Sequence, residues 1–191
     1  MRTHPVAVLI QSMWIVWLLY WLISARHVKR SRQIESIGSF VVYRVPLLVG
    51  TILILVPDVG LPIIETPIFP RNAVFTDCMV VLVAAGLGFA IWARRHLAEN
   101  WSARVTVKED HELIRTGPYR WVRHPIYTGM LLALAATALA IDTWQAAIAF
   151  VLFLTSFVIK LLIEERVMTA TFGDQYSHYK SETARLIPYV W

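Results

Sequence analysis

Five apolar runs dominate this sequence and limit the folds that it can adopt. They cover residues 5–25, 40–57, 74–93, 125–141 and 144–163, and charged side chains are rare within them. An α-helix needs about 20 apolar residues to cross a bilayer, and fewer when it is packed or tilted. The sequence therefore predicts an all-α integral membrane protein with five transmembrane helices. Arg44 lies near the start of the second run, where its side chain can snorkel towards the membrane surface.

The last two runs are separated only by Asp142 and Thr143, so we expect them to form a tight helical hairpin. The first run resembles a signal peptide, but its apolar part is long and Arg2 is the only positive charge before it. Those features favour a retained membrane span. With 191 residues and no break in composition, residues 1–191 are expected to form a single domain.

Lysine and arginine are distributed unevenly between the two sides that these spans define. They concentrate after the first, third and fifth runs, whereas the opposite side has only Arg2 and Arg71. The positive-inside rule then places the N-terminus outside and the C-terminus in the cytoplasm, in a plasma or inner membrane or in the endoplasmic reticulum. Topology and anionic lipid account for the net charge of +5, so we expect no nucleic-acid partner. The single cysteine, Cys78, excludes a cysteine-rich metal site, and no metal is expected.

The stretch RHPIY, residues 123–127, marks the beginning of the fourth run. Pro125 suits the first turn of a helix, and the preceding residue, His124, is biased away from helical geometry. A helix N-terminus attracts anions through its free N–H groups and its macrodipole. Arg123 and His124 add fixed and switchable positive charge there. These side chains have an alternative reading as interfacial anchors.

Lys160, Glu164 and Glu165 form a second polar group, where the fifth run ends. Charges this close to hydrocarbon are costly and mark functional sites by default. A two-residue turn places the other ends of the hairpin helices side by side, so His124 and Tyr127 are expected near Glu164. Such a site has positive and negative parts, which suits a zwitterionic ligand with an amine, a carboxylate and a sugar.

The second half of the chain resembles the isoprenylcysteine carboxyl methyltransferase family of integral membrane enzymes. The resemblance runs from NWSA at Asn100 through HELI, GPYRWVRHPIY and the glutamate pair to FGDQYSHYKSETARLIP. It implies S-adenosylmethionine as methyl donor, in a cytoplasmic pocket capped by residues 164–191. The donor-binding residues that the motifs imply are Arg104, His111, Glu112, Leu113, Ile114, Tyr119, His124, Pro125, Ile126, Tyr127 and Glu164.

The resemblance also implies that the methyl group goes to the carboxylate of an isoprenylcysteine or another lipophilic acceptor, giving a methyl ester. A carboxylate is already ionised and can attack a sulfonium methyl directly, so catalysis is mainly positioning and desolvation. The family has an arginine about one turn before the key glutamate. Here that position is Lys160, a point charge without a bidentate fork. Lys160 is the candidate catalytic residue for acceptor positioning, and a snorkelling lysine is the alternative.

Three other functions remain open from the sequence. A phospholipid N-methyltransferase would share the donor site and would favour acidic or aromatic groups around the amine that it methylates. A nicotinamide-dependent enzyme of the sterol reductase type carries a similar RHPxY stretch, although this chain is short for that class. A non-catalytic membrane binding protein would show no specific affinity for a methyl donor and would tolerate changes at Glu164.

Overall fold

A computed structural model describes residues 5–26, 31–34, 36–56, 59–69, 72–101, 106–108, 112–188 and 190. Helices dominate this part of the chain, and an antiparallel pair of short strands, β1 (Ser31–Ile34) and β2 (Thr106–Lys108), joins two of its loops. The strand pair was not predicted from the sequence. The α-helices are α1 (Pro5–Ser24), α2 (Ile37–Leu55), α3 (Ala73–Leu97), α4 (Pro125–Ile141), α5 (Trp144–Phe172) and α6 (Asp174–Glu182).

Within the described residues, four helical segments have the length and composition of membrane spans: α1, α2, α5, and α3 extended to Asn100 by a turn of 3-10 helix. Large apolar side chains are exposed along them, with Val16 64% and Leu48 58% accessible. Soluble proteins rarely expose apolar surface so extensively, whereas lipid covers it in a bilayer. The expectation of a helical multi-pass membrane protein is confirmed at this level. Helix α4 is also apolar but has only 17 residues.

Several helices extend beyond the apolar runs that predicted them. The third run ends at residue 93 and the fifth at residue 163, whereas α3 continues to Leu97 and α5 to Phe172. Helix α5 stops where Gly173 adopts a positive φ of 53°. Glu164 and Glu165 are therefore interior residues of a helix, which fixes the direction of their side chains relative to α4.

Small residues bring α3 and α4 into close contact. A Cβ atom added at Gly86 would lie 2.6 Å from the carbonyl oxygen of Gly129, and one at Gly129 would lie 2.5 Å from that of Gly86. Ala90 and Ala133 complete this contact. Helices in membranes commonly pack through such small residues, because their backbones can then approach closely. The contact holds the first half of α4, where the RHPIY stretch begins, against α3.

Helices α2 and α5 pack through a mixture of small and polar residues. A Cβ at Gly50 would meet the ring of Phe153 at 3.2 Å, and Ser156 Oγ donates a 2.7 Å hydrogen bond to the carbonyl oxygen of Tyr43. At the other end of the contact, the buried Gln145 donates from Nε2 to the carbonyl oxygens at the end of α2, Leu53 at 2.6 Å and Val56 at 2.7 Å.

The connection between α4 and α5 consists of Asp142, with a positive φ of 56°, and Thr143, which caps α5 by accepting from the backbone N–H of Ala146. The buried Asp142 carboxylate also accepts from the backbone N–H groups of Ile68 and Phe69, at 3.1 and 3.0 Å. Thus the turn is fastened to the preceding loop. The opposite ends of α4 and α5 meet at the cluster described below.

The segment after α5 folds back onto the start of α4. The backbone N–H of Arg123 donates to the carbonyl oxygen of Ala184 at 2.9 Å, and that of His124 to Arg185 at 3.1 Å. Thr128 Oγ1 donates to the carbonyl oxygen of Leu186 at 2.7 Å. Residues 184–186 therefore form a strap, and its carbonyl groups accept hydrogen bonds from the beginning of α4.

Candidate active site

Three predicted residues meet where α4 begins and α5 leaves its apolar part. Tyr127 donates from its hydroxyl to Glu164 Oε1 at 2.6 Å, and His124 Nδ1 lies 3.5 Å from Glu164 Oε2. The rings of His124 and Tyr127 stack with their centroids 5.5 Å apart. Both side chains are buried. The turn between the two helices brings these residues together, as the sequence predicts.

Glu165 lies at the centre of a second cluster, which sequence reasoning noted only as half of a glutamate pair. Its buried carboxylate accepts from Arg123 Nε at 2.7 Å and from Arg185 Nε at 3.1 Å, and it lies 3.5 Å from His124 Nε2. Arg123 also donates to the carbonyl oxygens of Lys180 and Thr183, beside the end of α6. Glu165 therefore ties α5 to the C-terminal segment.

His124 touches both glutamates, and it precedes the first residue of α4. Burial acts to lower its pKa, but the carboxylates of Glu164 and Glu165 outweigh that effect and hold the pKa of His124 above its ordinary value. A protonated imidazole donates from both ring nitrogens, so it can serve the two carboxylates together. The positive charge of His124 at the start of α4 thus faces the negative charges of Glu164 and Glu165 on α5.

A cavity of about 870 Å³, partly continuous with solvent, opens beside this cluster. Eight of the predicted donor-binding residues contribute to its wall. They are Glu112, Leu113, Ile114, Tyr119, His124, Ile126, Tyr127 and Glu164.

Three predicted donor-binding residues are not placed on this wall. Pro125 is buried as the first residue of α4, where its role is to begin the helix. Arg104 and His111 lie outside the described residues. Their assignments stay predictions.

The wall also contains residues that sequence reasoning did not assign. Among them, Asn100 Oδ1 is buried and has no hydrogen-bond partner in the described part of the chain, so it remains available to a ligand donor. Burial raises the pKa values of Tyr176 and Tyr179, which therefore stay neutral. Among these unassigned residues, Arg123 had a sequence signal as part of the RHPIY stretch. The unassigned wall residues are Leu97, Asn100, Trp101, Arg123, Val167, Met168, Tyr176 and Tyr179.

Lys160 lies one turn before Glu164 on the same face of α5. Its Nζ is 3.7 Å from Glu164 Oε1 and lies over the rings of Tyr43 and Tyr127, at 5.6 and 5.5 Å from their centroids. It does not belong to the wall of the cavity. The charge of Lys160 therefore faces Glu164 and two aromatic rings, on the side of the cluster that continues towards α2.

The described residues form a cavity lined by groups of both signs of charge, aromatic faces and one buried acceptor, next to helices that expose apolar surface. The model of the isoprenylcysteine carboxyl methyltransferase family matches residues 78–170, a segment that includes His124, Tyr127 and Glu164. Over this segment, the chain is similar to the isoprenylcysteine carboxyl methyltransferase family. The resemblance inferred from the motifs is confirmed.

The relatives that the chain resembles carry two kinds of name. The chain is 26% identical over 140 residues to protein-S-isoprenylcysteine O-methyltransferase of Saccharomyces cerevisiae, covering 67% of this chain and 59% of the relative. It is 31% identical over 88 residues to protein-S-isoprenylcysteine O-methyltransferase A of Arabidopsis thaliana, covering 46% and 45%. It is 38% identical over 72 residues to methanethiol S-methyltransferase of Mycobacterium tuberculosis, covering 37% and 28%. In each case the match covers less than two thirds of the relative.

Proposed function

We propose that this protein transfers the methyl group of S-adenosylmethionine to the carboxylate of an isoprenylcysteine-like or other lipophilic acceptor, giving a methyl ester. The observation that carries the proposal is the buried cluster of His124, Tyr127 and Glu164 on the cavity wall, within the segment that matches the family. The cluster lies where two apolar helices meet, so a water-soluble donor and a membrane-bound acceptor can approach it from different sides.

The cavity suits the donor chemically. Glu112 and Glu164 offer carboxylates for an ammonium group, and His124 and Arg123 offer positive charge for a carboxylate. Trp101 and the tyrosines supply aromatic surface for a purine, and Asn100 Oδ1 offers an acceptor for one of its donors. S-adenosylmethionine supplies an electrophilic methyl group on its sulfonium. We retain Arg104 and His111 as further donor contacts and Pro125 as the residue that shapes the turn beside them.

The proposed topology has five spans, with the N-terminus outside and the cavity and C-terminus in the cytoplasm. Helix α4 is the short span, because its 17 residues reach about 25 Å, close to the thickness of a hydrocarbon core. One face of α4 packs against α3 through Gly129 and Ala133. In a variant without Cys78, cysteines introduced at Arg115 and Arg71 should react with impermeant reagents from opposite faces. Labelling from one face would refute this topology.

Lys160 is proposed to help position the acceptor. Its place between Glu164 and the ring of Tyr43 supports this role, because a group bound there would lie beside the donor cluster and close to the lipid-facing helices. Burial at the membrane edge removes water from an acceptor carboxylate. The carboxylate is then more reactive towards the methyl group of the sulfonium. A carboxylate acceptor needs no general base.

A thiol is a second candidate acceptor, favoured by the similarity to methanethiol S-methyltransferases. A thiol is mostly protonated at neutral pH, so it would have to lose a proton before or during transfer. Tyr127 and Glu164 form the nearest hydrogen-bonded pair that could receive it. A phospholipid amine stays a third possibility from the sequence.

Calorimetry with S-adenosylmethionine on the detergent-purified protein is the first test. We then expect the radiolabelled methyl group to appear on a prenylcysteine acid as base-labile label, since esters hydrolyse in base. Base-stable label on a thiol or an amine would favour the other acceptors. Absence of donor binding, together with tight binding of a nicotinamide cofactor, would overturn the proposal.

A further inference from the structure

Arg44 on α2 is a cation that the donor site leaves unused. It is the eighth residue of a membrane-length helix and is half-buried. Its Nε atom is buried without a hydrogen-bond partner, and no ion pair involves it within the part of the chain that the structure describes. An arginine within an apolar helix is costly, and a buried donor without a partner adds to that cost. Such a residue is expected to meet an anion.

Two aromatic rings hold the Arg44 guanidinium in place. Its Cζ atom lies 5.0 Å from the ring centroid of Phe40 and 5.8 Å from that of Tyr43. The ring of Tyr43 is 1% exposed and also lies 5.6 Å from Lys160 Nζ. Tyr43 is therefore shared by two cations, one on α2 and one on α5. This arrangement joins Arg44 to the cluster of Lys160, Tyr127 and Glu164.

The two cations differ in their partners. Lys160 faces the carboxylate of Glu164 at 3.7 Å, so part of its charge is already balanced. Arg44 faces aromatic carbon and no carboxylate among the described residues. An arginine also presents paired N–H groups that match a carboxylate in a bidentate manner, which a lysine does not.

We propose that Arg44 is the residue that binds the carboxylate of the acceptor, beside Tyr43 and Lys160, and so makes the site selective for acidic acceptors. This inference rests on the proposed function, because it names the group that recognises the acceptor of that same reaction. The arginine that presents paired N–H groups then lies on α2, whereas the corresponding family position lies on α5 and is Lys160 here. The acceptor would reach Arg44 from the side of the bilayer.

The charge balance of the reaction gives Arg44 a second role. One carboxylate oxygen forms a bond to the methyl carbon while the bond from sulfur to that carbon breaks, and its electron pair stays on sulfur. An anion and a sulfonium become a neutral ester and a neutral thioether, and no proton moves. Arg44 thereby loses its counter-ion when the ester forms. The site should bind the acid more tightly than the ester and so release its product.

The test compares acid and ester binding in full-length protein reconstituted in nanodiscs of neutral phosphatidylcholine. The probes are a farnesylcysteine derivative with a free carboxylate and its methyl ester. We expect the unmodified protein to bind the acid at least about tenfold more tightly than the ester, as for one charge-assisted pair. R44Q should bind the two alike, and R44K should keep only part of the preference. Affinity for S-adenosylmethionine should stay unchanged in both variants.

Arg95→Gln is the matched control, because Arg95 is exposed on α3 and lies outside the cavity wall. It should keep the preference for the acid. If R44Q keeps that preference as well, the inference is wrong and Arg44 is an interfacial anchor. The preference of the unmodified protein for the acid could also disappear when anionic lipid is added to the nanodiscs. That result would show that Arg44 binds lipid phosphate, and it would overturn the inference.

A failure of the proposed function can be distinguished from a failure of the inference about Arg44. Its failure would appear as absence of methyl transfer from S-adenosylmethionine to every acceptor tested. Transfer to a thiol or amine with no preference for the acid would remove the inference about Arg44 and leave a methyltransferase. Thermal unfolding of R44Q and R44K in nanodiscs confirms that the comparison is made on folded protein.

Discussion

The two contacts of α4 are built from opposite kinds of residue. Against α3 it packs through Gly86, Gly129 and their alanine neighbours, with backbone against backbone. Against α5 and the C-terminal strap it uses the carboxylates of Glu164 and Glu165 and the cations around them. The first contact depends on shape, whereas the second adds charge pairs to apolar packing. The difference indicates that the α3 contact fixes the position of α4, while the other contact holds the residues of the proposed donor site.

The charged contact should be the more fragile of the two. Removing one partner of a buried ion pair costs about 3–5 kcal/mol, because the remaining charge stays buried. Glu165→Ala leaves Arg123 without its carboxylate and should lower stability by about that amount, as measured by thermal unfolding in detergent. Glu182→Ala is the control, since it removes an exposed pair with Arg115 and should cost less than about 1 kcal/mol. Equal effects of the two changes would contradict the role of Glu165.

Substitutions in the proposed donor cluster test the binding of the donor separately from the stability of the fold. His124→Ala and Glu164→Ala should each weaken binding of S-adenosylmethionine by about 1.5–3 kcal/mol, the cost of one charge-assisted contact. Calorimetry measures the affinity, and size-exclusion chromatography shows whether the protein is folded. Unchanged affinity in both folded variants would remove the assigned donor pocket.

The apolar contact is tested by adding one methyl group. Gly86→Ala places a Cβ 2.6 Å from the carbonyl oxygen of Gly129, so α3 and α4 must separate. Overpacking of this kind costs about 1–3 kcal/mol. Gly88→Ala is the matched control on the same helix, because a Cβ there meets nothing within 4 Å. Thermal unfolding should distinguish the two variants, and equal stability would show that the contact tolerates expansion.

The smallest expected effect is a dependence of stability on pH through His124. Its pKa is raised in the folded protein, so the folded state binds its proton more tightly than the unfolded state. The resulting stabilisation is fully present below the ordinary pKa of histidine, near 6.5, and is lost as pH rises through the raised value. One proton gives at most about 1.4 kcal/mol per pH unit. His124→Asn should flatten the unfolding free energy in this window, and an unchanged pH profile would contradict the assignment.

The sequence predicted what depends on neighbours along the chain. Apolar runs located the helices, Pro125 located the beginning of α4, and the two-residue turn implied that Tyr127 lies near Glu164. The surroundings of Asn100, Glu165 and Arg44 were missed, because the burial and contacts of each side chain come from tertiary packing. The role of Glu165 depends on its ion pairs with Arg123 and Arg185. No periodicity within α5 distinguishes it from Glu164. The ends of α3 and α5 were missed because charged residues continue a helix as readily as they end an apolar run.

The strap of residues 184–186 has a consequence for how the protein is made. Leu186 accepts a hydrogen bond from Thr128, a residue that is synthesised 58 positions earlier. While the ribosome is still adding α5 and α6, the beginning of α4 has already been translated and lacks the carbonyl groups that it will meet in the finished fold. The order of synthesis thus delays completion of the proposed donor site until residue 186 has emerged.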